Sequence, residues 1–321
     1  MSMPCLHIVS QRRDGGGGSA YIGAMRTRPP RRPDARSTPR SPGRAEQNAP
    51  HDAGSTPASG TSPGAAPGRQ GRRGGGAARG GPPRGTYWLY GLHPALAALG
   101  NPERRIRQIL ATEDGEAALR ERLNAPLPMQ PHRTDRARLE SLCGRDAVHQ
   151  GIAVLADALP SLAIEDVTGR PGPLLLLDQV TDPRNVGAIL RSAAAFGAAA
   201  VVVMERNAPD ETGALAKAAS GALEIVPLVR VVNLARTLDA LKSLDFWVVG
   251  LDAGGGILDG TSFGQRRVAL VLGAEGDGLR RLTREHCDEI AGLAMPGDME
   301  SLNVSNAAAV ALYELIRRGK A

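Results

Sequence analysis

Between residues 174 and 321 the chain alternates solid apolar runs with stretches of helical period. "LLLLD" (174–178), "AVVVM" (200–204), "FWVVGLD" (246–252) and "RVALVLG" (267–273) are short, continuous and rich in Val and Leu. That is the pattern of strands buried on both faces. "EIVPLVRV" predicts a further short strand and "EIAGLAM" a strand end. "NVGAILRSAAAFGA" (185–198) reads as a small-residue helix ended by Gly197, and "TGALAKAASGAL" as a second helix. "NLARTLDALKSL" places Leu234, Leu238 and Leu241 at helical spacing, and "DGLRRLTREHC" and residues 302–318 complete the helices. Strands alternating with helices at this spacing predict an α/β fold with a parallel sheet covered on both faces. Ligands in such sheets bind at the carboxyl ends of the strands, so the loops there are the place to look.

A smaller segment, 86–157, precedes this one. "TYWLYGLHPALAAL" predicts a strand or turn and then a helix with Leu92, Leu96 and Leu99 on one side. "RIRQILAT" and "HQGIAVLAD" predict strands, and "GEAALRERLN" and "TDRARLESLC" short helices. Two basic clusters, Arg104 with Arg105 and Arg107, and Arg133 with Arg136 and Arg138, read as solvated faces. Residues 158–173 read as a linker holding one short apolar stretch.

No periodicity runs through residues 1–85. This stretch holds 12 of the 24 prolines and 17 of the 40 glycines of the 321-residue chain. Such a composition buries too little apolar surface to offset chain entropy, so a disordered tail is expected. It also carries 14 Arg, no Lys and four acids, a net of +10, against a formal +6 for the whole chain. The remainder is therefore net −4, and a basic patch on it must come from local arrangement. The tail reads as an RNA-binding arm or, with about equal weight, as a dispensable extension or a start placed upstream of the true one, and its Arg-rich, acid-poor composition also fits an organelle transit peptide. Cys5, Cys143 and Cys287 lie far apart with no metal-binding spacing, which excludes a disulfide framework and a Cys-based zinc ribbon. A reducing, cytoplasmic setting fits, and no apolar run approaches the ~18 residues of a membrane span.

Three loops follow predicted strands. In "QVTDPRNVGAILRSA", Asn185 suits a helix N-cap, whereas Arg191 stands among Ala188, Ile189, Leu190 and Ala193 on a helix with little polar surface. In "GAEGDGL" (273–279), three glycines let main chain approach a ligand while Glu275 projects. The Lys-Ser/Thr ending of a P-loop is missing, as is a GxGxxG after the first strand. In "MPGDMESLNVSNAAAVALYEL" (295–315), Ser301, Asn303, Ser305 and Asn306 crowd a helix start where one cap would suffice.

Together "DPRNVGAILRSA", "LVLGAEGDGL" and "MPGDMESLNVSNAA" resemble the three motifs of the SpoU (TrmH-like) RNA ribose 2′-O-methyltransferases. "AVHQGI", "VPLVRVVNLART" and "RRLTREHCDE" are similar to the RlmB-like branch, which methylates a guanosine of 23S ribosomal RNA. The resemblance covers nearly all of 86–321. It departs where Leu293, Ala294 and Met295 replace the usual Ile-Pro-Met. It implies a SPOUT-type methyltransferase domain over 174–321, knotted as a trefoil, and an RNA substrate-binding domain over 86–157 similar to ribosomal protein L30e. It implies S-adenosylmethionine bent in the knot on main chain of Gly273, Leu293 and Leu302, with no metal. Arg191 is then catalytic, with Asn185, Glu275, Ser301 and Asn303 around it and Glu275 orienting Arg191 or another donor. Arg191 would bind an RNA phosphate and stabilise developing alkoxide rather than act as a base, since a guanidinium does not deprotonate. The resemblance further implies a homodimer, for which Ala307, Ala308, Ala311 and Leu315 offer a close-packing stripe, and 23S ribosomal RNA as partner. Two other readings share these residues: a tRNA ribose methyltransferase, and a non-enzymatic ribosomal RNA assembly factor.

Overall fold

The computed structural model describes residues 82–83, 85–123, 125–299 and 301–317. The disordered tail expected over 1–85 lies, apart from 82, 83 and 85, outside the described residues.

The smaller unit contains β1 (Thr86–Tyr90), α1 (Leu92–Gly100), β2 (Ile106–Ala111), α2 (Glu113–Arg122), β3 (His132–Arg133), α3 (Arg136–Cys143) and β4 (Ile152–Asp157). Its four-stranded sheet has the order β1-β4-β2-β3, with β4 antiparallel to both β1 and β2. The predicted linker holds a short helix, α4 (Ile164–Thr168), pinned by buried Val167.

The larger unit runs β5 (Leu174–Leu177), α5 (Pro183–Ala195), β6 (Ala200–Met204), α6 (Gly213–Ala219), β7 (Leu228–Val231), α7 (Leu234–Lys242), β8 (Phe246–Ile257), β9 (Arg267–Leu272), α8 (Arg281–Glu285), β10 (Glu289–Gly292) and α9 (Val304–Ile316). The sheet order is β10-β8-β9-β5-β6-β7, and every neighbouring pair is parallel. β5 sits between β9 and β6 with all four residues buried, which is why "LLLL" carries no alternation. The inner stripe of α5 (Val186, Ile189, Leu190, Ala193) packs over it. Gly187 lets α5 touch α6: a Cβ there would lie 2.5 Å from the Leu215 carbonyl oxygen.

Four readings change. The first-motif helix starts at Pro183, and its N-cap is Asp182, whose carboxylate accepts the Arg184 N–H at 2.8 Å. Asn185 is therefore inside the first turn and is not the cap. Arg104 is buried rather than part of a solvated face, because two carboxylates of the larger unit surround it. Ala308 and Ala311 are fully buried, in one core cluster with α5, so this part of the proposed dimer stripe belongs to the protomer's own core. β8 runs on beyond "FWVVGLD" through the glycine run to Ile257.

Candidate active site

The carboxyl ends of β8, β9 and β10 enclose a cavity of about 840 Å³. Its first wall is a break in strand register. Ile290 of β10 pairs with Gly250 of β8, yet the next residue, Ala291, pairs with Gly256, so residues 251–255 bulge out of the ladder. Gly255 permits this, since a Cβ there would sit 2.4 Å from the Ile290 carbonyl oxygen. Asp252 on the bulge is held by an ion pair with Arg284.

The second wall is the loop after β9. Ala274 and Gly278 exchange main-chain hydrogen bonds at 3.1 Å, closing a tight turn. The turn requires glycine at 273, where a Cβ would meet the Gly278 carbonyl carbon at 2.1 Å. Glu275 projects from its tip, exposed, on the cavity rim. The third wall is the segment after β10, with Leu293, Met295, Met299, Ser301 and Leu302. All three residues expected on cofactor main chain, Gly273, Leu293 and Leu302, thus line one cavity, and Ser301 and Glu275 join them.

Asn185, Asn303 and Arg191 do not line it. Asn303 caps α9: its Oδ1 accepts the Ser305 N–H at 2.9 Å and the Ser305 hydroxyl at 2.6 Å. Its Nδ2 donates to Oδ1 of Asn185 at 3.1 Å. Three of the four polar residues at the start of α9 are thereby accounted for: Asn303 caps, Ser305 supports the cap, Ser301 lines the cavity, and the cap also ties the third motif to the first. Arg191 is exposed on α5, and among the described residues its side chain makes no hydrogen bond or ion pair. The expected hydrogen bond from Glu275 is not among its contacts.

A further link joins the end of β5, just before the first motif, to the residue just after the second. Asp178, wholly buried at the end of β5, accepts Nε of Arg280 at 2.7 Å and the Arg280 N–H at 3.1 Å. Its own N–H donates to the Leu272 carbonyl at 2.8 Å. The one sequence signal for it was an acid closing a solid apolar run.

The lining suits S-adenosylmethionine. Cβ atoms at Gly254, Gly256 and Gly276 would meet nothing within 4 Å, so bare main chain faces open space there. Leucine and methionine side chains supply apolar surface for an adenine ring, and among the described residues the ionisable groups on the wall are the carboxylates of Asp252 and Glu275. Such a wall repels phosphate and attracts a sulfonium.

Residues 173–313 match the SpoU rRNA Methylase family, and residues 88–162 match the RNA 2′-O ribose methyltransferase substrate binding family. The 23S rRNA (guanosine-2′-O-)-methyltransferase RlmB of Bordetella pertussis is 40% identical over 245 residues, covering 73% of this chain and 98% of that protein. The chain belongs to the SpoU rRNA methylase family. The RlmB of Pseudomonas aeruginosa is also 40% identical, over 72% of this chain and 96% of that one. Among solved SpoU structures, AviRb of Streptomyces viridochromogenes in complex with AdoMet superposes with a TM-score of 0.61 at 26% identity. That match covers 73% of this chain and 91% of AviRb.

Proposed function

We propose that this SpoU protein transfers the methyl group of S-adenosylmethionine to the ribose 2′-hydroxyl of a guanosine in 23S ribosomal RNA. The observation that carries the reading is the cavity built jointly by the bulged end of β8 and the second and third motifs, with main chain, apolar side chains and carboxylates and, among the described residues, no cation on its wall. Relatives matched over nearly their whole length carry that activity in their names.

The cofactor supplies a methyl already activated by its sulfonium, so the protein's work is placement and charge. Main chain at Gly273, Leu293 and Leu302 holds the cofactor, and Ser301 and Glu275 stand at the mouth where the ribose enters. Arg191 holds an RNA phosphate and stabilises the alkoxide that develops as the hydroxyl loses its proton. Asn185 and Asn303 act together, fixing α5 to the cavity wall.

Because Arg191 lies outside the cavity lining in one chain, the reading includes a homodimer in which a second copy brings its own α5 to the mouth. α9 presents Val310, Tyr313 and Ile316 to solvent, an apolar face suited to that pairing. The route of the last elements supports a trefoil knot: β10 ends at one edge of the sheet, while α9 returns to pack on α5 near its centre. The four-stranded smaller unit takes the L30e-like RNA-binding role, and ribosome assembly places the reaction in the cytoplasm. No helix among the described residues is long and apolar enough to cross a membrane.

Incubation with tritiated S-adenosylmethionine and unmodified 23S rRNA tests this directly. One labelled guanosine 2′-O-methyl is expected on mapping. Label on a base, on tRNA alone, or nowhere overturns it.

A further inference from the structure

Arg104 belongs by sequence to an exposed basic trio, yet its side chain is wholly buried. Nη2 and Nε donate to the Glu224 carboxylate at 2.7 and 3.1 Å, and Nη1 donates to the Asp157 carbonyl at 2.8 Å. Glu211 lies 3.8 Å from Nη1 and accepts the Tyr87 hydroxyl at 2.9 Å. Burial, reinforced by Glu211, pushes the Tyr87 hydroxyl far above its usual range, so it stays a donor. Asn101 adds a bond to Glu224 at 2.7 Å. Arg104, Tyr87, Asn101 and Asp157 belong to the smaller unit, whereas Glu211 and Glu224 flank α6 of the larger one. Every one of the carboxylate bonds therefore crosses between units.

Two more observations place the units in one fixed pose. Lys217 of α6 donates to Gln150 Oε1 at 3.1 Å, and the same oxygen accepts the Leu92 N–H at 3.2 Å. Gly213 opens α6 directly against β1, where a Cβ would lie 2.4 Å from the Trp88 carbonyl oxygen and 2.5 Å from the Tyr90 ring. The apolar core continues unbroken from Leu89, Leu92 and Ile152 to Leu215, Ala219 and Leu223.

We infer that Arg104 is a positioning residue for the RNA. It locks the smaller unit to the catalytic unit in a single orientation, so that the pair measures a fixed distance from the RNA-binding surface to the reacting ribose. Separate domains joined by a modest polar interface move relative to each other. Here apolar burial favours contact without choosing a pose, and the directional fork on Glu224 selects one. Phosphate contacts on the smaller unit then fix the register of the RNA at the cavity. This inference rests on the methyl-transfer reading above.

Two variants of the full chain test it. Gly213→Leu wedges the contact with β1 apart. The multiple variant Arg104→Met, Glu211→Gln, Glu224→Leu removes the fork without stranding a buried charge and keeps an acceptor for the Tyr87 hydroxyl. Broad-specificity proteolysis of residues 158–173, calorimetric S-adenosylmethionine binding and steady-state methylation of 23S rRNA are measured on each. The wild-type linker should resist cleavage, and both variants should be cut readily. Cofactor affinity should stay within about twofold, while kcat/KM for rRNA falls about ten- to a hundredfold through KM and new methylated riboses appear. A purely structural role would lower cofactor affinity and melting temperature with the methylated position unchanged. The inference is overturned if the wild-type linker is cut as fast as the variants', or if readily cut variants keep wild-type KM and position. A wild-type protein that methylates no rRNA defeats the functional reading instead, and linker cleavage with rRNA affinity then decides the lock by itself.

Discussion

With its side chain exposed and bonded to nothing among the described residues, Arg191 can be removed at little cost to the fold. Arg191→Ala should leave melting temperature and cofactor affinity near wild type while methyl transfer falls by about 10²-fold or more, the scale of losing one charge-stabilising donor. Arg191→Lys should rescue poorly, because a point charge cannot reproduce the planar fork. Near-normal transfer by the Ala variant would take Arg191 out of the site. Asn303 has the opposite character. Asn303→Ala removes the α9 cap and the bond to Asn185, so it should cost about 1–2 kcal/mol of stability in urea unfolding. Unchanged stability would mean that the two asparagines do not share a load. The sequence singled out Arg191 as a cation among alanines, but the structure places it on the exposed side of α5, where an arginine needs no partner, so packing does not argue for its role. Asn185 was misread because Asp182 and Asn185 are both good cap types three residues apart, and only the helix start decides between them.

Solid apolar runs gave the strands of the larger unit, since a central parallel strand has no solvent face to impose alternation. The cavity wall from 251 to 255 was not legible. Its bulge depends on where β10 pairs, a contact some forty residues away that no local pattern encodes. The loop after β9 was legible because glycines at 273, 276 and 278 break a strand signal abruptly. That loop makes a sharp test of the element. Gly273→Ala would force a Cβ onto the Gly278 carbonyl carbon, strain of about 1–3 kcal/mol that the loop relieves by moving. Movement of this wall should weaken S-adenosylmethionine binding by about tenfold in calorimetry, with secondary structure by circular dichroism unchanged. Wild-type affinity in this variant would show that the cofactor does not rest on the loop.

At the scale of the whole molecule, composition separated what periodicity could not. Residues 1–85 hold the positive charge, net +10, while the rest of the chain is net −4. The catalytic and substrate-binding units must therefore attract RNA through a few placed arginines, and the docking of those units stayed illegible because Arg104 looks like any surface cation until Glu211 and Glu224 are brought beside it. The charge division predicts a division of labour. Removing residues 1–81 should weaken rRNA binding strongly at low salt and little at high salt, because the lost contacts are to phosphates and act through released counterions. The slope of log affinity against log salt should become shallower by about 0.7 for each single-strand phosphate contact given up. Cofactor affinity should not change, since the cavity lining among the described residues falls within 251–307. The methylated ribose should also stay the same, because phosphate contacts orient a protein without reading sequence. Filter binding over a salt series and ribose-methylation mapping on one truncated preparation decide the matter. A shifted methylation site would make the N-terminal segment a reader of the RNA rather than an electrostatic arm.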